Sequence, residues 1–126
     1  MKVAEVTAIS VYPVKGEPGR VLAEAAVDTE GLTGDRRKKA AVHVVAEADD
    51  APHLRANLVV SLTPVELAAA IGGTVLAGGV ELEVTGTANN CPGVYAAVRR
   101  PGTVRLGDPV TTVTAERDGA SGGPGA

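Results

Sequence analysis

The residue most able to do chemistry is Cys91, in the run Asn89-Asn90-Cys91-Pro92-Gly93-Val94-Tyr95-Ala96. It is the one cysteine of the chain, so no internal disulfide can form. Reactivity rather than packing is then what singles out such a thiol. A thiolate is a soft ligand for a heavy metal and a nucleophile that can accept sulfur as a persulfide. Proline and glycine directly after it predict a loop between strands with exposed backbone. The competing reading is a partly buried small hydrophobe with no role.

A basic set comes second: Lys15, Arg36, Arg37, Lys38 and Lys39. Lys15 after a strand and Arg36 after a Gly-Asp turn are positions where loops can converge on an anion, and Arg forks and Lys point charges suit phosphate. Lys38 and Lys39 read equally as a solvated strand end that protects an edge. Arg55 and Asn57 form the third set. Alternate positions on a strand share a face, so both can reach one pocket. Otherwise Arg55 pairs with Asp49 or Asp50, and Asn57 caps a turn. Asp35 and Asp108 read as turn residues. His43 and His53 have no further ligand at zinc spacing, and His43 reads as a satisfied, partly buried strand residue. No nucleophile elbow, phosphate-binding loop or dinucleotide fingerprint is present.

The elements that must position these residues are mostly strands. Strands are expected over 3–14 (ending at Tyr12-Pro13), 21–28, 39–45 and 58–62. Loosely alternating Val, Ile and Thr and the intervening glycines and prolines carry that reading. Residues 46–55 are acidic and carry Pro52, which predicts a loop or a single helical turn. Thr63-Pro64-Val65-Glu66 is a capping box with proline at the first helical position. Leu62 and Leu67 fall at its staple positions. The helix is expected from Pro64 to Ile71, with Gly72-Gly73 stopping it. A hairpin of 74–77 and 80–85 turns at Gly78-Gly79, and strands follow at 94–99, 103–106 and 109–113. Many short strands with frequent turn signals predict a mainly β fold, a barrel or sandwich, with one or two short helices. Residues 1–115 form one domain, and the Gly-rich tail 116–126 is expected to be disordered.

Composition narrows the function classes. The 126 residues suit a single domain with a modest core. Hydrophobic residues make up 44%, yet Tyr12 and Tyr95 are the only aromatics, so small and β-branched side chains must fill the interior. A net charge of -3 argues against general nucleic-acid binding but leaves room for a local anion site. No apolar run approaches the ~20 residues that span a bilayer, and residues 1–5 do not read as a signal peptide. A soluble cytoplasmic protein is expected. Short edge strands leave dimerisation open.

Several of these motifs, taken in order, resemble the MOSC domain family, named after the C-terminal domain of molybdenum-cofactor sulfurase. Val11-Tyr12-Pro13-Val14-Lys15-Gly16 is similar to the stretch that opens the N-terminal barrel segment of larger members. Gly31-Leu32-Thr33-Gly34-Asp35-Arg36 is similar to the Gly-Asp-Arg turn of that segment. Leu54-Arg55-Ala56-Asn57-Leu58-Val59-Val60 resembles the strand that precedes the family's thiol. Gly93-Val94-Tyr95-Ala96 with Gly102-Thr103-Val104-Arg105-Leu106-Gly107-Asp108-Pro109-Val110 resembles the family's C-terminal end.

The resemblance implies a MOSC-like β-barrel and a molybdenum-cofactor-binding or sulfur-carrier module. Cys91 would be the metal ligand or persulfide carrier. Lys15, Arg36, Arg55 and Asn57 would hold the molybdopterin cofactor, the cations at its phosphate end. A pyridoxal-phosphate-dependent cysteine desulfurase or a molybdoenzyme would be the partner. The activity would be molybdenum-dependent oxidoreduction or sulfur transfer. The chain departs from the family in one place: Cys91 abuts Gly93-Val94-Tyr95, where members usually keep a long segment. That departure keeps a rival reading open, a non-catalytic module that delivers cofactor or binds a protein partner.

Overall fold

The computed structural model describes residues 3–36, 40–52, 54–88 and 92–114. Cys91, His53, the basic residues 37–39 and the tail expected to be disordered lie outside the described residues. In chain order the strands are β1 (Val6–Val11), β2 (Arg20–Leu22), β3 (Glu24–Asp28), β4 (Gly31–Leu32), β5 (Val42–Ala46) and β6 (Leu58–Val60). After the helix α1 (Pro64–Ala69) come β7 (Thr74–Ala77), β8 (Val80–Thr87), β9 (Val94–Arg100), β10 (Gly102–Arg105) and β11 (Val110–Val113). A short 3-10 turn, Glu47–Asp49, fills the acidic stretch, as its composition predicts.

Eight strands form one sheet in the order β11-β7-β8-β9-β5-β6-β1-β2, and three form a second in the order β10-β3-β4. β5 and β6 run parallel. The long sheet curls until its β11 end meets the start of β1. There Val6 N–H donates to the Asp108 carbonyl at 3.0 Å, Gly107 N–H to Val6 at 2.8 Å and Val110 N–H to Ala4 at 2.8 Å. The contact is an isolated bridge between Glu5 and Pro109 rather than a strand ladder. The mainly β class is therefore correct, while the barrel is not closed by continuous pairing.

Two expected elements differ in detail. The strand over 21–28 is two strands, because the chain changes sheets at Ala23. β2 pairs with β1, while β3 pairs with β10. The strand expected over 39–45 runs Val42–Ala46, and all five of its residues are buried. One face meets the main core, and Val45 on the other meets Leu54, Ala56 and Val59 in a second small cluster. The helix forms on its predicted signals. Glu66 N–H donates to Thr63 Oγ1 at 3.1 Å, and Thr63 N–H donates to Glu66 Oε1 at 2.9 Å. Leu62 and Leu67 bury the staple in the core.

The core is aliphatic throughout. Ile9, Leu58, Leu67 and Leu82 are its largest fully buried side chains, and valines from β1, β5, β6, β7 and β8 fill the rest. Stacked valines suit closely paired strands, since each branched side chain packs against its neighbours on the pleated surface.

Candidate functional site

Asn57 stands just before β6, between β1 and β5, and is 1% exposed. Its backbone N–H donates to the His43 carbonyl at 2.8 Å, and its own carbonyl accepts from Ser10 N–H at 2.9 Å. That leaves the His43 N–H and the Ser10 carbonyl facing the same residue. The side chain completes both: Oδ1 accepts from His43 N–H at 3.0 Å, and Nδ2 donates to the Ser10 carbonyl at 3.2 Å. A carboxamide carries one acceptor and one donor end, so it can satisfy both strands at once. Asn57 is thus placed inside the sheet, with its polar atoms on backbone groups. It neither caps a turn nor lines the cleft beside Arg55.

Arg55, two residues earlier, is exposed. Its guanidinium carbon lies 4.7 Å from the centre of the Tyr12 ring, and Nη2 donates to the Glu17 carbonyl at 2.7 Å. Tyr12 follows β1 and is half-buried. Its hydroxyl donates to the Ala56 carbonyl at 3.2 Å, with the Leu54 carbonyl at 3.5 Å. Burial pushes this hydroxyl above its ordinary value of 10.0. Contact with Ser10 and the Arg55 charge act the other way, and Asp50 and Asp35 add to the rise. The phenol therefore stays a donor at neutral pH.

Tyr12 is also where the turn bearing Arg36 attaches. Its N–H donates to Asp35 Oδ1 at 2.8 Å, and its carbonyl accepts from Arg36 N–H at 3.2 Å. Asp35 is a turn residue, as expected, with its N–H on the Leu32 carbonyl at 3.0 Å, and its carboxylate also ties that turn to the end of β1. Lys15 lies on the exposed bend where Glu17 N–H returns to the Val14 carbonyl at 3.3 Å. The Glu17 carbonyl is the group that holds Arg55. The Arg55 guanidinium and the Arg36 backbone thus both meet Tyr12, the bend bearing Lys15 meets Arg55 through Glu17, and Lys15 and Arg36 are exposed. Beside the tyrosine opens a cleft of ≈ 260 Å³ lined by Ser10, Tyr12, Pro18, Gly19, Pro52 and Leu54, with Val21 and Arg55. The larger groove, ≈ 680 Å³, carries Glu5, Glu47 and Glu66. Its charge suits an anion poorly.

The loop that contains Cys91 is bounded by described residues on both sides. Ala88 N–H donates to the Gly93 carbonyl at 3.1 Å and closes the loop base. Pro92 is held by His43, whose Nε2 lies 2.9 Å from the Pro92 carbonyl. The His43 ring meets Tyr95 edge-on at 5.5 Å, so the buried histidine is a satisfied strand residue, as expected. His43 and Val45 alternate on β5 and so share a face. Val45 packs with Leu54 and Ala56, which flank Arg55. The end of the cysteine loop and the Tyr12–Arg55 stack are therefore mounted on one side of the sheet. Asp108 is a turn residue, accepting from Arg105 N–H at 2.8 Å. Among the described residues, no three or more His, Asp or Glu side chains gather as metal ligands.

Tyr12 and His43 are organising residues: the reading by residue type gave Tyr12 no role of its own and did not foresee that His43 holds Pro92. A signal for Tyr12 was present, since it is one of two aromatics in 126 residues and precedes proline. His43 offered none, because its partner lies 49 positions away.

No family model matches the chain, and no curated protein matches it. Solved structures do. YuaD from Bacillus subtilis superposes with a TM-score of 0.71 at 14% identity, over 86% of this chain and 94% of YuaD. YiiM from Escherichia coli gives a TM-score of 0.63 at 16% identity, over 91% of this chain and 75% of YiiM. YiiM from Geobacillus stearothermophilus gives 0.61 at 16% identity, over 87% and 75%. The chain shares its β-rich fold with YuaD and YiiM.

Proposed function

We propose that this chain is a MOSC-type module that binds the anionic end of the molybdenum cofactor through Lys15, Arg36 and Arg55, with Cys91 as thiolate ligand or persulfide carrier. The observation that carries the reading is that the Arg55 guanidinium and the Arg36 backbone both meet Tyr12, with the bend bearing Lys15 tied to Arg55 through the Glu17 carbonyl. The fold likeness to YiiM, a MOSC-domain protein, supports it. So does the chemistry of the residues, since clustered guanidinium and ammonium groups suit a phosphate. Asn57 would act from within the sheet, fixing the start of β6 two residues after Arg55 rather than touching the cofactor.

Sulfur loading has a simple balance. The thiolate of Cys91 attacks the outer sulfur of a desulfurase persulfide, a sulfur–sulfur bond forms on Cys91, and the desulfurase thiolate leaves. Bound cofactor would supply the metal for which Cys91 is the soft ligand. The rival, a cofactor-delivery or protein-interaction module without catalysis, is favoured by one observation. The Ala88–Gly93 hydrogen bond closes the loop base so tightly that only residues 89–92 lie inside it, leaving little chain to line a pocket.

The test is molybdenum and pterin content of the protein purified from a host that makes the cofactor. Mass spectrometry for a persulfide after incubation with a cysteine desulfurase and cysteine accompanies it. Cys91→Ser should lose metal or persulfide while keeping its fold. Wild type and Cys91→Ser behaving alike in both assays would move the assignment to the rival.

A further inference from the structure

Resting on the reading of Arg55 as an anion-binding residue, we propose that Tyr12 is the positioning residue of that site, holding the Arg55 guanidinium in place by its ring and the backbone on either side of Arg55 by its hydroxyl. An exposed arginine on a surface segment ordinarily samples many rotamers, and ordering it on binding weakens affinity. Here two restraints act on the guanidinium before any ligand arrives. The ring lies under it at 4.7 Å, and the Glu17 carbonyl takes Nη2 at 2.7 Å. A third restraint acts on the backbone. The Tyr12 hydroxyl reaches the carbonyls of Leu54 and Ala56, the residues on either side of Arg55.

The same residue fixes the other basic segment. Its backbone N–H and carbonyl bond Asp35 and Arg36, so the turn carrying Arg36 cannot shift without Tyr12. Pro13 follows, and its locked φ sets the direction in which the chain leaves toward Lys15. Tyr12 thus acts through other side chains and need not touch a ligand. The ring and the hydroxyl do separable work, which makes the proposal testable by conservative replacement.

The probe is inorganic phosphate at low ionic strength, with binding followed by calorimetry and by the backbone amide shifts of labelled protein, and with the Arg55 Nε–Hε resonance read in addition where Arg55 is present. Arg55→Ala should weaken phosphate binding. Tyr12→Phe keeps the ring and should bind within about twofold of wild type, whereas Tyr12→Leu should lose about fivefold to tenfold, the scale of one cation–π contact. The double variant Tyr12→Leu/Arg55→Ala should bind no more weakly than Arg55→Ala alone, because both changes remove one unit. Tyr12→Leu binding like wild type, or losses that simply add, would overturn the positioning role while leaving the anion site standing. Wild type and Arg55→Ala binding alike would remove the site and the proposal together. Wild-type protein provides a reading even where Tyr12→Leu does not fold. Its Arg55 Nε–Hε should be ring-shifted and restricted, and a signal as mobile as that of an arginine in an unfolded peptide overturns the proposal.

Discussion

Asn57 and His43 exchange two hydrogen bonds: the Asn57 N–H reaches the His43 carbonyl at 2.8 Å, and Asn57 Oδ1 receives the His43 N–H at 3.0 Å. With the matching pair to Ser10, one side chain completes the backbone of two neighbouring strands. Asn57→Ala strands a buried donor and a buried acceptor. Each unsatisfied group costs about 1–3 kcal/mol, so the expected loss is about 2–6 kcal/mol in chemical denaturation. Asn57→Asp keeps the acceptor but sets a carboxylate against the Ser10 carbonyl. It should destabilise at least as much at neutral pH and recover in part as acid protonates it.

Gly93 has φ +97, and a Cβ there would run into the Val44 carbonyl oxygen. Gly93→Ala meets both backbone strain and a clash, costing about 1–3 kcal/mol. Its further effect is local. Pro92 should move from His43, so the His43 ring resonances should shift more than those of any residue in α1. Unchanged His43 signals would show that the loop base tolerates a side chain.

The reciprocal bonds of Thr63 and Glu66 act as a unit. Thr63→Ala should lower stability by about 1 kcal/mol. Glu66→Ala should cost less on its own, since it frees only the exposed Thr63 N–H. The double variant should be less destabilised than the two losses added, which a denaturant double-mutant cycle would read directly.

Tyr12 makes stability depend on alkaline pH. Its folded hydroxyl titrates above the ordinary 10.0, so the folded state holds the proton more tightly than the unfolded chain does. The contribution is fully present below pH 10.0 and is lost as pH rises through the raised folded value. Tyr12→Phe lacks that dependence, while Tyr95 is common to both proteins. The stability difference between wild type and Tyr12→Phe should be flat below pH 10.0 and should shift against wild type above it. A difference that stays flat across the alkaline range would mean that burial does not raise the hydroxyl above its ordinary value.

Arg55, Lys15 and Arg36 were legible as a candidate set from residue type and motif. The anchor that Arg55 and Arg36 share was not. Tyr12 meets Ala56 across 44 positions and Asp35 across 23, and no local pattern encodes such meetings. Asn57 shows the opposite difficulty. Its type suggested a ligand-facing group, and its burial assigns it to the ladder, because a strand held between two partners needs both ends of a carboxamide.

Local chemistry by itself determined the β-rich class, the helix start at Thr63-Pro64-Val65-Glu66 and the turn at Gly78-Gly79. Those features depend on neighbours within a few residues, where propensity and capping act. Tertiary structure alone decided that 21–28 divides between two sheets, that both faces of β5 are buried and that the curled sheet ends in a bridge at Glu5 and Pro109. It alone decided, too, that Arg55 rests on Tyr12 and His43 on Pro92. Each of these follows from which strands pair at long range, and that is settled by burial of the whole apolar surface rather than by any one segment.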